Sequence, residues 1–344
     1  MLRPRTSVVL LFTLGACARD AESVAPTPSI HDVSETPVDA RSASDGTEAG
    51  AVEADANQDG GDSPDPGADA ASLDLATGDG AGPAPETACN GHDALCARPF
   101  DQVCFPMTHN SMSNGDAGWL LPNQTHGITR QLADGVRGLM LDVHPLDGQA
   151  TLCHGLCDLG NQPLVEGLGE IAAFLIAHPR EVVSIIFEPY VAPSDIAAAM
   201  DAAGLTARLY VHAGGAWPTL ESMIHADTRL VVFAEADGSD PAWYHRAWDL
   251  ISDTNYSAKV SAELTCDLNR GAETHDLFLI NNWLGNPFPD PAFATEVNAR
   301  AFLLGRAQTC AAERGHVPNF LGVDFYEVGD VVGVARVVNG LEEP

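Results

Sequence analysis

Short apolar segments recur along residues 89–344, and most are separated by a stretch with helical periodicity. Several are continuous apolar runs, which is typical of parallel strands buried on both faces. Eight such runs with mostly helical crossovers predict an α/β fold, an irregular (β/α)8 TIM-type barrel, and about 250 residues is its usual length. The predicted strands are 103–108, 138–143, 150–153, 182–187, 208–211, 230–234, 277–281 and 320–325. The predicted helices are 127–133, 164–177, 195–203, 220–226 and 291–314.

Residues 145–149 are too few for a helical crossover, so we expect the barrel to be irregular there. Chemistry in a barrel belongs at the C-terminal ends of its strands. Nearly every predicted strand ends in a polar or titratable group. These groups are His109, Asn110, Asp142, His144, His154, Glu188, His212, Glu235, Asn281, Asn282, Trp283, Asp324 and Tyr326.

Two segments, Thr-His-Asn-Ser at 108–111 and Leu-Cys-His-Gly at 152–155, place one histidine each at successive strand ends. One histidine can take a proton from an attacking hydroxyl while the other protonates the leaving oxygen. This pair of proton transfers is what in-line cleavage of a phosphodiester needs.

The N-terminus has the pattern of a targeting segment. Arg3 and Arg5 precede a short apolar run at 8–12 that is too short to span a bilayer. Leu-Gly-Ala-Cys at 14–17 is similar to a bacterial lipobox, so we expect a signal peptide at 1–17 and lipidation of Cys17. The alternative is an ordinary secretory signal with an incidental cysteine. Either interpretation predicts an exported protein, anchored to a bacterial membrane or secreted.

Residues 18–88 are rich in Ala, Asp, Gly and Pro and carry sixteen acidic residues against Arg19 and Arg41. This composition predicts a disordered acidic tether. The segment holds nearly half of the net charge of −31, and residues 89–344 show no basic face. Nucleic-acid binding is therefore not expected.

Seven cysteines follow Cys17, and an exported chain with this many should form disulfide bonds. Because seven is odd, one thiol should stay free. A bridge between Cys153 and Cys157 would stiffen the loop that holds His154. Metal ligation by these two cysteines is the less favoured alternative, since no matching second pair is present.

The order of several motifs resembles the X domain of phosphatidylinositol-specific phospholipase C, especially over residues 100–190. The resemblance to secreted bacterial and fungal members extends to the last predicted strand. The motifs are Thr-His-Asn-Ser at 108–111, Gln131-Leu132, Gly135-Val136-Arg137, Asp142, His154-Gly155, Pro-Arg-Glu-Val-Val at 179–183, Glu188 and Pro-Asn-Phe followed by Val-Asp-Phe-Tyr within 318–326.

The resemblance implies a phosphodiesterase that acts on a phospholipid at a membrane surface, as a monomer. It makes His109 the general base and His154 the general acid, with Asp324 orienting a catalytic histidine. Arg137 and Tyr326 are candidate substrate contacts, although Arg137 fits a structural role as well and Tyr326 could simply pack.

Members of this family neutralise the transition state with an arginine or with bound Ca²⁺. This chain carries Asp142 where the arginine would stand, and Asn110 and Glu188 complete a set of oxygen ligands. The resemblance therefore implies Ca²⁺ held by Asn110, Asp142 and Glu188. The departure is Met140, which stands where the calcium type has a glutamate and cannot hold Ca²⁺.

Two alternatives remain open at this point. The barrel could cleave another phosphodiester, such as a glycerophosphodiester or a different phospholipid. It could also be a non-catalytic surface lipoprotein with a decayed site, which Met140 slightly favours and the two intact histidines oppose.

Overall fold

A computed structural model describes residues 87–236, 238, 240–285 and 288–342. The predicted leader at 1–17 and all but the last two residues of the acidic segment at 18–88 lie outside the described residues. Within them, no helix combines the length and the apolar character needed to cross a membrane.

Eight parallel strands form a curled sheet in the spatial order β7-β6-β5-β2-β1-β10-β9-β8, once the strands are numbered along the chain. Two further strands pair antiparallel on its outside, β3 with β2 and β4 with β3. The strands are β1 Phe105–Thr108, β2 Gly138–Leu146, β3 Gln149–Leu152, β4 Gln162–Pro163, β5 Val183–Pro189, β6 Leu230–Ala234, β7 Tyr244–Arg246, β8 Ile251–Asp253, β9 Leu277–Asn282 and β10 Phe320–Val323.

The helices include the five predicted regions. Leu164, Leu168, Ile171 and Leu175 of the longest predicted helix are fully buried, because their spacing places them on one face. The helices are α1 Asp93–Cys96, α2 Ile128–Ala133, α3 Leu164–Ala177, α4 Pro193–Ala202, α5 Leu220–His225, α6 Ala247–Leu250, α7 Pro291–Val297, α8 Arg300–Arg314 and α9 Val331–Val338.

Two predicted strands were wrong as members of the barrel. Residues 208–211 form no strand, and only Leu209 makes an isolated bridge to Leu230. The run buries too little surface, since Val211 is 46% exposed. Residues 150–153 correspond to β3, which runs antiparallel to β2 after a turn at Asp147 and Gly148, both with positive φ. Such a turn forms a hairpin, so β3 is not one of the parallel strands of the barrel.

Two three-residue strands, β7 and β8, take the two places in the parallel sheet that the wrongly predicted strands leave open. They are too short to produce a recognisable apolar period. The predicted helix 291–314 is divided at Asn298, which is fully buried. Its side-chain amide donates to the backbone oxygen of Asp324 over 2.7 Å, so the break in the helix supports the loop after β10.

The side chains that point into the barrel are apolar at the bottom and polar at the C-terminal end of each strand. On β1, Phe105 and Met107 are buried in the interior cluster, and His109 follows at the same period of two. Met140 is followed by Asp142 on β2, and Ile186 by Glu188 on β5 in the same register. Because side chains alternate along each strand, His109, Asp142 and Glu188 all point into the barrel at the same end of the sheet.

Candidate active site

A cavity at the C-terminal ends of the strands is lined by four residues that the sequence predicted as site members, namely His109, Asn110, Asp142 and Glu188. The predicted catalytic residues His154 and Asp324 do not line the cavity, but each contacts a lining residue, Asp142 and His109 respectively. The other lining residues are Met140, Leu141, Ile186, Glu235, Tyr256, Arg270 and Trp283.

His109 is held on two sides. Its Nδ1 lies 2.8 Å from Oδ1 of Asp324, and its ring stacks on Trp283 at a centroid distance of 3.9 Å. Asn123 donates to the same Asp324 oxygen over 3.1 Å. Because an ionised carboxylate only accepts hydrogen bonds, this contact places the proton on Nδ1 and leaves Nε2 as a proton acceptor.

His154 is held in the same way by a second carboxylate. Its Nδ1 lies 2.7 Å from Oδ2 of Asp142, and this hydrogen bond raises the pKa of His154 above its usual value. The disulfide between Cys153 and Cys157 closes the loop around it. The two histidine rings lie edge to face, with centroids 6.5 Å apart and an angle of 73° between their planes. A histidine with a raised pKa suits the role of a proton donor.

The segment after β1 is fixed by buried amide side chains, of which the sequence singled out Asn110 and Gln131 but not Gln124. Asn110 adopts a left-handed φ of 45°, which turns the chain directly after His109. Nε2 of Gln124 donates to the backbone oxygen of His109 over 2.7 Å. Gln131 donates to the backbone oxygen of Ser111 over 2.8 Å and accepts from the Thr108 hydroxyl. The sequence gives no signal for Gln124, because its full burial cannot be read from the sequence.

The predicted calcium ligands lie on neighbouring strand ends. Asp142 and Glu188 are register partners on β2 and β5, and Asn110 follows β1 on the other side of β2. Carboxylate and amide oxygens fit Ca²⁺ by their chemistry, whereas the Met140 thioether beside them does not. A metal site can also be sought as three or more His, Cys, Asp or Glu side chains whose ligand atoms lie within 4.8 Å of one another. Among the described residues, one group meets this condition, and it consists of Cys89, Cys96 and Glu221. Those two cysteines form a disulfide instead.

Arg270 and its partners form a part of the cavity wall that sequence reasoning missed. Nη1 of Arg270 lies 2.6 Å from Oε2 of Glu235, and Nη2 lies 2.7 Å from Oδ2 of the fully buried Asp253. Burial and the nearby carboxylates raise the pKa of Glu235 to about 7, against the lowering effect of Arg270. The sequence indicated Glu235 because it follows a predicted strand. It did not indicate Arg270, which lies in a loop without a periodic pattern.

Comparison with known proteins gives the family. A family model described as PI-PLC X 1 matches residues 95–339. The chain belongs to the PI-PLC X domain family. An Arabidopsis thaliana PI-PLC X domain-containing protein is 30% identical over 72% of this chain and 63% of its own length. A secreted protein of the fungus Arthroderma benhamiae is 28% identical over 71% of this chain and 61% of its own length. The chain therefore spans under two thirds of these two relatives.

A second Arthroderma benhamiae protein, named PI-PLC X domain-containing protein 1, is 29% identical over 74% of this chain and 90% of its own length. Solved structures agree on the fold. The phosphatidylinositol-specific phospholipase C of Listeria monocytogenes has a TM-score of 0.50 and 16% identity, over 72% of this chain and 96% of that chain. A mutant of the Staphylococcus aureus enzyme has a TM-score of 0.51 and 14% identity, over 72% of this chain and 94% of that chain. The predicted TIM-type barrel is therefore confirmed for this PI-PLC X domain.

Two predicted substrate contacts do not line the cavity of this PI-PLC X domain. Arg137 precedes β2, and its Nε lies 2.7 Å from Oε2 of Glu181 while Nη1 donates to backbone oxygens. Its position at the N-terminal end of the strand separates it from His109. Tyr326 donates its hydroxyl proton to Asp134 over 2.7 Å.

Two other strand-end histidines of the PI-PLC X domain also lie outside the cavity lining. The ring of His144 stacks on Tyr190, and that of His212 stacks on Trp217, each at a centroid distance of 4.1 Å. His212 follows residues 208–211, which form no strand, so it does not reach the C-terminal end of the sheet.

Proposed function

We propose that this chain is a phospholipase C-type phosphodiesterase that cleaves the bond between glycerol and phosphate in phosphatidylinositol or a related phospholipid. One observation carries the proposal. Two histidines lie at one end of the barrel with ring centroids 6.5 Å apart, and each is held through Nδ1 by its own aspartate, at 2.8 Å for His109 and 2.7 Å for His154. This arrangement leaves both Nε2 atoms for proton transfer.

The chemistry follows from that pair. Nε2 of His109 takes the proton of the inositol 2-hydroxyl, and the oxygen attacks the phosphorus as the bond to the glycerol oxygen breaks. Protonated His154 gives its Nε2 proton to the leaving diacylglycerol oxygen. The products are a cyclic inositol phosphate and diacylglycerol, and water can later open the cyclic ester by the reverse use of the two histidines.

Negative charge grows on the phosphoryl oxygens during attack, so a positive charge must lie beside them. Arg270 lines the cavity, but Glu235 and Asp253 already neutralise it. The acidic residues of the cavity instead suit a bound cation. Asn110, Asp142 and Glu188 would hold Ca²⁺, with water molecules in place of the ligand oxygen that Met140 cannot supply. Bound there, Ca²⁺ would supply the stabilising positive charge.

An apolar rim next to the site supports a lipid substrate. Leu120, Leu121 and Leu156 are exposed by 61%, 45% and 70%, and they lie in the loops that follow β1 and β3. The backbone N–H of Leu120 donates to the oxygen of Leu159 over 2.7 Å, which joins the two loops. Because Leu156 is two residues from His154, this rim could rest on a bilayer with the catalytic pair at the lipid head-groups.

The location of the protein is part of the proposal. Three disulfide bonds among the described residues, together with the secreted fungal relative, support an exported protein. Lipidation of Cys17 would keep it at a bacterial membrane, with residues 18–88 as the tether.

The test is a panel of vesicles that contain one phospholipid each, with phosphatidylinositol, phosphatidylcholine, phosphatidylethanolamine and phosphatidylglycerol as substrates and soluble glycerophosphodiesters alongside. We expect diacylglycerol from phosphatidylinositol vesicles, and loss of this product in His154→Ala. Turnover of the glycerophosphodiesters and of no phospholipid would contradict the proposal and show that the chain is a phosphodiesterase with a different substrate. Absence of turnover of every substrate, with and without Ca²⁺, would contradict catalysis and favour a binding protein.

A further inference from the structure

The hydrogen bond between His109 and Asp324 does not by itself define the plane of the imidazole. It holds Nδ1 of the histidine 2.8 Å from Oδ1 of the aspartate. A single hydrogen bond still allows the ring to rotate about the line that joins these two atoms, and such a rotation moves Nε2. A second contact is therefore needed to give Nε2 of His109 one direction.

Trp283, which follows β9, supplies this second contact at the face of the ring. The indole and the imidazole of His109 are stacked, with centroids 3.9 Å apart and an angle of 5° between their planes. The indole is only 6% exposed and belongs to the apolar cluster inside the barrel. A ring packed in this way cannot move aside without losing its contacts, so it keeps the imidazole plane parallel to its own.

The neighbouring strand leaves space for the indole at Gly322 of β10. A Cβ atom at this position would lie 3.1 Å from Cζ3 of Trp283, which is closer than ordinary van der Waals contact. Gly322 lies within a strand, so glycine is required here for space and not for an unusual backbone conformation. The sheet is therefore shaped to hold the indole against His109.

The two chain segments that contact His109 are joined by Asn298, at the break between α7 and α8. Its side-chain amide donates to the backbone oxygen of Asp324 over 2.7 Å, and its Oδ1 accepts from the side-chain amide of Asn282 over 3.3 Å. Asn282 directly precedes Trp283 and is fully buried. The stacking contact and the hydrogen bond to His109 are therefore held in place by the same buried residue.

We propose that Trp283 is a positioning residue for the general base, and that it sets the plane of the His109 ring so that Nε2 points to the attacking hydroxyl. This proposal rests on the proposed phospholipase C function. Asp324 fixes which nitrogen of His109 carries the proton, whereas Trp283 fixes the direction of the nitrogen that accepts one. Because a small displacement of a reacting group costs much of the rate, loss of the indole lowers kcat and leaves KM nearly unchanged.

The kinetic experiment compares Trp283→Leu, Trp283→Phe and the control Trp217→Leu on phosphatidylinositol vesicles. We expect Trp283→Leu to lower kcat at least about tenfold and to change KM less than about twofold. Trp283→Phe keeps an aromatic face against His109 and should recover most of kcat.

Trp217 is the matched control, because it belongs to the same apolar cluster as Trp283 and stacks on a histidine outside the cavity lining, His212, at 4.1 Å. Both Leu variants remove a buried indole, so both should lower the melting temperature. Trp217→Leu should nevertheless keep kcat within about twofold of the wild type, because it leaves the contacts of His109 in place.

The orientation of the ring can also be measured without turnover. NMR relaxation of the Cε1–H group of His109, in protein with ¹³C-labelled histidine, reports how far the ring moves, and the resonance is assigned by its absence in His109→Ala. We expect a rigid ring in the wild type and in Trp283→Phe, and a mobile ring in Trp283→Leu. This pattern in a protein that turns over no lipid would support the positioning of His109 by Trp283 and contradict the proposed function.

Three results would overturn the proposal. The first is a His109 ring that is as rigid in Trp283→Leu as in the wild type. The second is a kcat of Trp283→Leu that equals the wild-type value. The third is an equal loss of kcat in Trp283→Leu and Trp217→Leu, which would show that the loss follows from damage to the apolar cluster and not from loss of the stack.

Discussion

His109 and Asp324 are 215 residues apart in the chain, yet Nδ1 of the histidine lies 2.8 Å from Oδ1 of the aspartate. β1 and β10 pair as parallel neighbours, and this pairing carries both residues to the same edge of the sheet. A side-chain amide of Asn123 and the backbone support from Asn298 hold the aspartate. The fold therefore orients the ring of His109 before any substrate binds.

We predict that His109→Ala and His154→Ala each lower kcat by roughly 10²–10⁴-fold, because each variant removes one of the two proton transfers. The measurement is diacylglycerol release from phosphatidylinositol vesicles, with circular dichroism to confirm the fold. Near wild-type turnover in either folded variant would show that the acid–base assignment is wrong.

We predict that Asp324→Asn lowers kcat by about 10²-fold or more and changes KM little, since an amide cannot fix the same tautomer of His109. The control is Asp116→Asn, because Asp116 also holds a histidine, His126, at 2.9 Å but outside the cavity lining. Equal effects of the two variants would exclude a positioning role for Asp324.

We predict that chelation strongly lowers activity and that added Ca²⁺ restores it, with weak binding of roughly 10⁻⁴–10⁻³ M as in extracellular calcium modules. Glu188→Gln should raise the Ca²⁺ concentration for half-maximal activity. Asp142→Asn is a poorer probe because Asp142 also holds His154 at 2.7 Å, so this variant should lower kcat at saturating Ca²⁺ as well. Full activity after exhaustive chelation would contradict the metal site.

We predict that the native folded domain without reductant shows no thiol that alkylates readily. Six cysteines among the described residues form disulfides, and Cys104 is buried, which raises the pKa of its thiol well above the usual range. Mass spectrometry should find a single alkylated residue of this group, Cys104, only after denaturation. Rapid alkylation of Cys104 in the native protein would contradict its burial.

We predict a pH-dependent stability difference at Glu235. Burial raises its pKa in the folded protein to about 7, above the value of an unfolded glutamate. The folded state therefore binds a proton that the unfolded state has lost, and the free energy of unfolding falls as pH rises from about 4.3 to about 7. Denaturant unfolding at a series of pH values, in the presence of chelator, should show this fall in the free energy of unfolding of the wild type relative to that of Glu235→Gln. A pH-independent difference would contradict the burial of the carboxyl.

The long elements of the fold were predictable because a single sequence period is enough to define them. Residues 164–177 and 230–234 were predicted with the bounds that the structure has. The three-residue strands β7 and β8 are held by pairing with neighbouring strands and not by their own pattern, so they were missed. Residues 208–211 resembled a strand locally, but their strand pairing is limited to the isolated bridge between Leu209 and Leu230.

The site was predictable where its residues follow strands. His109, Asn110, Asp142 and Glu188 reach one cavity because each ends or follows a predicted strand. Arg270 comes from the loop after β8, and its contact with Glu235 spans 35 residues without a sequence signal. Arg137 matched a family motif, but a motif does not show that its side chain turns to Glu181 at the other end of the strand.

The most direct test of the two-histidine mechanism is phosphorus NMR of the water-soluble products during hydrolysis of phosphatidylinositol vesicles at saturating Ca²⁺. We predict that a five-membered cyclic phosphate resonance appears first in the wild type and that His109→Ala and His154→Ala do not produce it. An acyclic phosphate monoester without a prior cyclic resonance, or a cyclic product from either folded histidine variant, would contradict the mechanism.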